Sequence, residues 1–179
     1  MLESLILPTT VTAASGPMVV RRAGHDDLEP LMQLLSDDPI SASRGDVAAH
    51  EDVSAYREAL TRIIEDHANE IVVAVDEAGW PIGTLQLTLI PGMARRGATR
   101  LLVEAVRVKS TMRSAGVGSA LMNWVTSVAA PALGADLIQL TSDSKRLDAR
   151  RFYERLGFVA SHTGFKFAVR DQPPATRPV

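Results

Sequence analysis

Leu28, Leu31, Met32 and Leu35 recur at the i, i+3, i+4, i+7 spacing of one helix face, behind a Gly24-His25-Asp26 break in which Asp26 is placed to cap the first turn. Before that break, residues 18–21 form a short β-type run. Residues 37–50 are polar and hold Pro39 and Gly45, which predicts a loop, and a second helix is predicted over 51–69. Two apolar runs, 71–75 and 82–90, flank Asp76-Glu77-Ala78-Gly79 and predict a β-hairpin that Pro91 and Gly92 terminate. Residues 98–108 predict a long central strand, with Leu102, Glu104, Val106 and Val108 on one side of a regular pleat. A helix over 118–130, ended by Pro131 and Gly134, leads to a strand over 136–141. Strand, helix and strand in succession make a βαβ crossover, so the two strands run parallel. A last helix over 145–156 stacks Ala149, Phe152, Tyr153 and Leu156 in one stripe, with Gly157 as its left-handed C′ residue. Residues 158–161 and 165–169 predict a closing hairpin around Thr163-Gly164.

Composition narrows the class. The 179 residues are 46% hydrophobic and 22% charged, enough for one domain with a sizeable core over 18–169, between a loose leader (1–17) and a Pro-rich mobile tail (170–179). A net charge of −2 argues against a nucleic-acid-binding role. No apolar run reaches the roughly 18–20 residues of a membrane span, and the leader lacks the basic start of a signal peptide. Without cysteine there is no thiol nucleophile, disulfide or thiolate metal site, so a cytoplasmic location is expected. His25, His50, His67 and His162 are scattered without ligand spacing, and no metal is expected. Trp80 and Trp124 are assigned to core packing.

Charge is segregated. Between positions 95 and 155 stand eleven basic and five acidic residues, while positions 26–70 hold three arginines and twelve acids. A molecule so divided suits a polyanion on one side and a cation on the other, although charge blocks are also simply solvated helix faces.

The segment with the clearest chemistry runs from Val106, Arg107 and Val108 through Arg113, Ser114, Ala115, Gly116, Val117, Gly118 and Ser119 into a helix. Unpaired N–H groups at a helix start carry the positive end of its dipole, glycine permits close backbone approach, and Arg113 adds charge: a seat for phosphate or pyrophosphate. A plain packing connection is the competing reading. A dinucleotide fingerprint fits poorly, since Leu121 stands where a third glycine or alanine belongs, and a Walker loop fails for want of Gly-Lys-Ser/Thr.

Arg113-x-x-Gly116-x-Gly118 after a strand, with Ala149-x-x-Phe152-Tyr153-Glu154-x-Leu156-Gly157-Phe158 downstream, resembles the GNAT superfamily of acyl-CoA-dependent N-acyltransferases. The resemblance implies an α/β (α+β) fold: a mixed, mostly antiparallel sheet of six to seven strands with one parallel splayed pair, flanked by about four helices. It implies acetyl-CoA as co-substrate, its pantetheine on the backbone of Val106, Arg107 and Val108 and its pyrophosphate on residues 113–119. Tyr153 matches the family's tyrosine and would protonate the leaving sulfur; packing between Phe152 and Leu156 is its alternative role. Glu104 stands where many members carry an acid and would take the amine proton, the alternative being an ion pair with Arg100 or Arg107. Arg146 replaces the asparagine that often meets the pantetheine. The acids of residues 26–70, Asp37, Asp38 and Asp46 among them, would then border a small cationic amine, and transfer would be direct. An edge strand near the C-terminus would be available for a homodimer. A non-catalytic acetyl-CoA sensor is the second reading, and a nucleotide-dependent oxidoreductase the third.

Overall fold

The computed structural model describes residues 1–167 and 169. Two units emerge, Met1–Leu140 and Thr141–Val179. The sequence offered no composition shift at this boundary.

The first unit is built on a six-stranded sheet in the order β1-β2-β3-β4-β5-β6, comprising β1 (Thr9–Ala13), β2 (Gly16–Arg22), β3 (Asn69–Val75), β4 (Pro81–Ile90), β5 (Arg100–Val108) and β6 (Leu137–Leu140). Neighbours are antiparallel except β5 and β6, which are parallel as the crossover requires. Val72, Val73 and Ala74 at its centre are fully buried, which explains why β3 reads as a continuous apolar run rather than an alternating one.

One face of the sheet carries α1 (Leu28–Ser36) and α3 (Val53–Ile64), joined through the short α2 (Pro39–Ala42). Leu28, Leu31, Met32 and Leu60 pack there with Val73 and Val75, while Ile71 packs at the margin of the cluster. The opposite face receives α5 (Val117–Trp124), reached after a turn α4 (Ala94–Gly97) and β5. Gly83 makes that approach close: a Cβ there would lie 3.1 Å from Val117 Cγ1 and 3.2 Å from Leu121 Cδ1. The helix continues through a π-helical turn, Val125–Ala129, into α6 (Ala130–Ala132). The widened turn precedes Pro131, whose ring excludes the usual bond to the carbonyl four residues back.

Several expectations change. The leader is not loose: residues 9–13 form β1 against β2, and Leu2 and Leu5 are buried. Arg22 holds this stretch, its guanidinium donating to the carbonyls of Leu2, Glu3 and Leu5 at 3.0, 3.2 and 3.1 Å and to Glu70 at 2.8 Å. Asp27, not Asp26, anchors the start of α1. Its buried carboxylate accepts the Gly24 N–H at 2.8 Å and a two-pronged pair from Arg21 at 2.7 and 2.8 Å. Burial pushes its pKa up, but these hydrogen bonds and the arginine charge outweigh that and hold it below the ordinary carboxylate value. Trp124 is buried as expected, whereas Trp80 is 66% exposed.

The second unit contains α7 (Leu147–Arg155). Gly157 closes it at φ 88°, with Phe158 N–H on the Tyr153 carbonyl and Gly157 N–H on that of Glu154, both at 3.0 Å, the paired pattern of a Schellman cap. Among the described residues the closing hairpin does not form. Ser161 instead bonds locally, its N–H to the Val159 carbonyl at 2.9 Å and its hydroxyl against His162 Nδ1 at 2.7 Å. The C-terminal edge strand expected to serve a homodimer is therefore missing from the described residues, and β1 and β6 are the sheet's edges. The tail expected over 170–179 lies outside the described residues.

Candidate functional site

β5 changes character part-way along. Its parallel pairing with β6 runs Arg100↔Leu137, Leu101↔Ile138, Leu102↔Gln139 and Val103↔Leu140, and stops there. β5 continues for five more residues, Glu104 to Val108, on β4 alone. That leaves a length of strand backbone inside the sheet facing no ladder partner among the described residues.

At the same place β5 bulges. Gln86 faces Glu104 and Thr84 faces Arg107, so Leu85 opposes both Ala105 and Val106. Ala105 takes φ +49°, in the left-handed region, which bends the strand and frees local backbone groups from the ladder. The bulge overturns the expected alternation: Arg107, not Val106, shares the face of Leu102 and Glu104. Nothing in an alanine signals this, since left-handed positions usually go to glycine or asparagine.

Glu104 is exposed on the face that carries α1 and α3. Among the described residues no ion pair joins it to Arg100 or Arg107. Arg100 donates to Gln139 Oε1 at 3.0 Å, and Arg107 to the Val106 carbonyl at 2.9 Å and the Ser41 hydroxyl at 2.6 Å.

After β5, Lys109 N–H closes on the Ile82 carbonyl at 2.9 Å and a 3-10 turn, Ser110–Met112, leads to the glycine loop. Arg113 and Ser114 are exposed, Ser114 at φ +64°. Gly116 caps α5 at φ +84°. A Cβ at Gly116 would lie 2.6 Å from Ala14 N and 2.9 Å from Ala14 Cβ, so glycine is required both for its torsion and because the β1–β2 turn presses on it. Ser15 N–H donates to the Ala115 carbonyl at 3.0 Å from the same turn. Ala120 N–H makes the first i→i−4 bond of α5, to the Gly116 carbonyl at 2.9 Å. The amides of Val117, Gly118 and Ser119 precede it and have no intrahelical acceptor. Torsion, cap and free amides together fit an anion, and the unpaired strand 104–108 fits an extended chain bearing amide groups.

Asp37, at the end of α1, is tied to this loop: its carboxylate accepts the Ser110 N–H and its carbonyl accepts the Arg113 guanidinium, each at 2.5 Å. Asp38 caps α2 through Ser41 N–H at 2.9 Å, and Asp46 accepts the Tyr56 hydroxyl at 2.7 Å. The three acids expected to border the acceptor thus each serve an internal partner. Sequence reasoning missed these links because they join residues up to 76 positions apart. Tyr56 sits beside an apolar cavity of about 190 Å³ between α1, α3 and the sheet, which reaches the bulge residue Ala105.

Tyr153 lies in the second unit, on α7, with its ring edge-on to Phe152 and Phe158 at centroid distances of 5.0 and 5.8 Å. Among the described residues no group of three or more His, Cys, Asp or Glu is arranged to hold a metal ion, and no helix is long and apolar enough to cross a membrane.

A family model described as the acetyltransferase (GNAT) family matches residues 28–158. The chain belongs to the GNAT family of acetyltransferases. Among solved GNAT-fold neighbours, a protein from Bacillus halodurans C-125 described as a transcriptional regulator is 38% identical with a TM-score of 0.78, over 84% of this chain and 99% of its own. Glucosamine-6-phosphate N-acetyltransferase from Arabidopsis thaliana shares the fold at 16% identity and a TM-score of 0.67, over 86% of this chain and 99% of its own. An aminoalkylphosphonate N-acetyltransferase from Salmonella typhimurium is 39% identical over 67 residues, which cover 37% of this chain and 43% of that enzyme. The matched stretch thus spans under half the length of that curated relative.

Proposed function

We propose that this GNAT protein transfers the acetyl group of acetyl-CoA to the primary amine of a small molecule. The observation that carries the reading is the five-residue length of β5, residues 104–108, left without a β6 partner and followed, one short turn later, by a left-handed, amide-rich helix start. Pantetheine is an extended chain with two amide groups, and a strand edge satisfies it as it would another strand. The pyrophosphate goes to the amides of residues 117–119 and to Arg113, where the helix dipole and a guanidinium both favour negative charge.

In the proposed reaction the free-base nitrogen attacks the thioester carbonyl carbon, the carbon–sulfur bond breaks, the ammonium proton leaves to Glu104 directly or through water, and the thiolate takes a proton to become CoA-SH. A backbone N–H released at the bulge near Val106 would polarise the carbonyl. Tyr153 is proposed as the sulfur's proton donor from its position in the family motif alone. With no cysteine in the chain, direct transfer is favoured over a thioester on the protein. The aminoalkylphosphonate enzyme supports a small amine acceptor, and a cation is favoured at Glu104 because its carboxylate is exposed and engaged by neither Arg100 nor Arg107.

Calorimetric titration with acetyl-CoA, with NADH in parallel, followed by thiol-release assays on amines, tests this. Micromolar acetyl-CoA binding, no NADH binding and amine-dependent thiol release are expected; failure to bind acetyl-CoA would overturn it. A second reading, an acetyl-CoA-sensing regulatory module, draws on the 38% identical protein described as a transcriptional regulator. It predicts binding without thiol release for any amine.

A further inference from the structure

The cavity over the sheet is lined by Leu31, Leu35, Ala59 and Ile63 from the two helices and by Ile71, Thr84, Gln86 and Ala105 from the strands. Three polar side chains on its wall each donate to a partner elsewhere. Thr84 Oγ1 donates to the Val72 carbonyl at 2.9 Å, Gln86 Nε2 to Asn69 Oδ1 at 3.1 Å, and the Tyr56 hydroxyl to Asp46 at 2.7 Å. Among the described residues no charged side chain lines it. Beside it, on the same sheet face, stands the carboxylate of Glu104, cross-strand neighbour of Gln86 and chain neighbour of Ala105.

We infer that the acceptor is a monoamine carrying a small apolar substituent, a branched alkyl chain or a single ring. The substituent enters the cavity between α1 and α3 while the ammonium stays at Glu104. The inference deepens the proposed acetyl transfer and rests on it for the role of the amine. The arrangement separates one charge from one apolar volume, which a monoamine matches. A diamine or polyamine would bury a second ammonium in a wall dominated by Leu, Ile and Ala, at a desolvation cost that no carboxylate among the lining residues offsets. At about 190 Å³ the space is smaller than the roughly 300–1,000 Å³ of drug-sized sites, which limits the substituent to one ring or a short branch. Leu35, Tyr56, Ala59 and Ile63 are only partly buried, so the cavity is open to entry along the α1–α3 side.

Equilibrium binding of 2-phenylethylamine, 3-methylbutylamine, putrescine, ethanolamine and 2-aminoethylphosphonate to the full chain tests this without requiring turnover. The two apolar amines should bind at least tenfold more tightly than the other three. Ala59→Leu, which fills the cavity from α3 with a good helix former, should erase that preference and leave acetyl-CoA affinity unchanged. Ala59→Met serves as a second, more adaptable filler, and the acetyl-CoA titration of each variant reports folding and the donor site separately. Equal binding, a preference for putrescine, ethanolamine or the phosphonate, no measurable amine binding, or an unchanged preference in folded filled variants would each overturn the inference. Loss of acetyl-CoA binding by the wild-type chain would strike the proposed function instead.

Discussion

From Arg100 to Val103, β5 is hydrogen-bonded on both flanks, and Leu101 and Val103 are buried to 0% and 1% exposure. From Glu104 to Val108 it keeps only β4, kinks at Ala105 and has no fully buried residue. Nine consecutive residues therefore divide into a half paired on both flanks and a half whose second flank has no ladder partner among the described residues. An unpaired strand stretch is ordinarily a liability that frays or recruits another chain. Here β4 pairs with the stretch on either side of the bulge, at Glu104 and at Arg107 and Val108, and the buried half fixes where the free half begins, so the strand keeps a set direction.

The comparison predicts that substitutions in the two halves fail differently. Glu104→Gln is expected to lower amine turnover by roughly 10²–10⁴-fold, with acetyl-CoA affinity and stability close to wild type; steady-state kinetics beside calorimetry would show it. A Glu104→Gln enzyme with full turnover would return this half of the strand to a purely structural part. Leu101→Ala should cost about 2–5 kcal/mol of stability, read by urea denaturation, while the protein that remains folded keeps its KM for acetyl-CoA.

A smaller effect distinguishes torsion from close approach at the neighbouring loop. Gly116 and Gly79 share φ +84°, but a Cβ at Gly79 meets nothing within 4 Å whereas one at Gly116 strikes Ala14. Gly79→Ala should cost about 1 kcal/mol from torsional strain. Gly116→Ala should cost at least about 1 kcal/mol more for the overlap, and should also raise the acetyl-CoA KM. Equal losses in urea melts would mean the β1–β2 turn yields freely.

The smallest effect concerns pH. Burial, reinforced by the hydrogen bond to Asp46 and by its charge, pushes the Tyr56 phenol up to about 12 from 10.0. The phenol thus stabilises the fold below pH 10, and that contribution is lost as pH climbs from about 10 through 12. Tyr56→Phe should flatten the alkaline fall in unfolding free energy over that window; an unchanged slope would refute the coupling.

The sequence made most of the sheet legible because β3, β4 and the early part of β5 are written in apolar runs and turn residues, and the glycine loop because Gly116 and Gly118 follow a strand. Gly157 closes α7 as its place after the apolar stripe predicted. Ala105 was illegible: its left-handed torsion is imposed by the two-against-one pairing with Leu85, a tertiary cause that overrides an alanine's preference. β1 was hidden for a related reason. Thr9–Ala13 is short and polar, and its order comes from β2 and α5, while Arg22 holds the carbonyls of Leu2 and Leu5 just before it; a local window contains none of these partners. The acids of residues 26–70 read as one charged block, yet Asp27, Asp37, Asp38 and Asp46 each hold a separate structural post.

The contact between Ala14 and Gly116 also sets an order of events during synthesis. At about 5–20 residues per second, Gly116 follows Ala14 off the ribosome by roughly five to twenty seconds. Through that interval the first hairpin stands without the helix that will back it, its outer edge open to any passing strand. A nascent chain arrested before the glycine loop would lack that backing indefinitely, while the outer edge of β1 stays open in the complete sheet as well, so the polar threonines of β1 guard the half-made protein as much as the finished one.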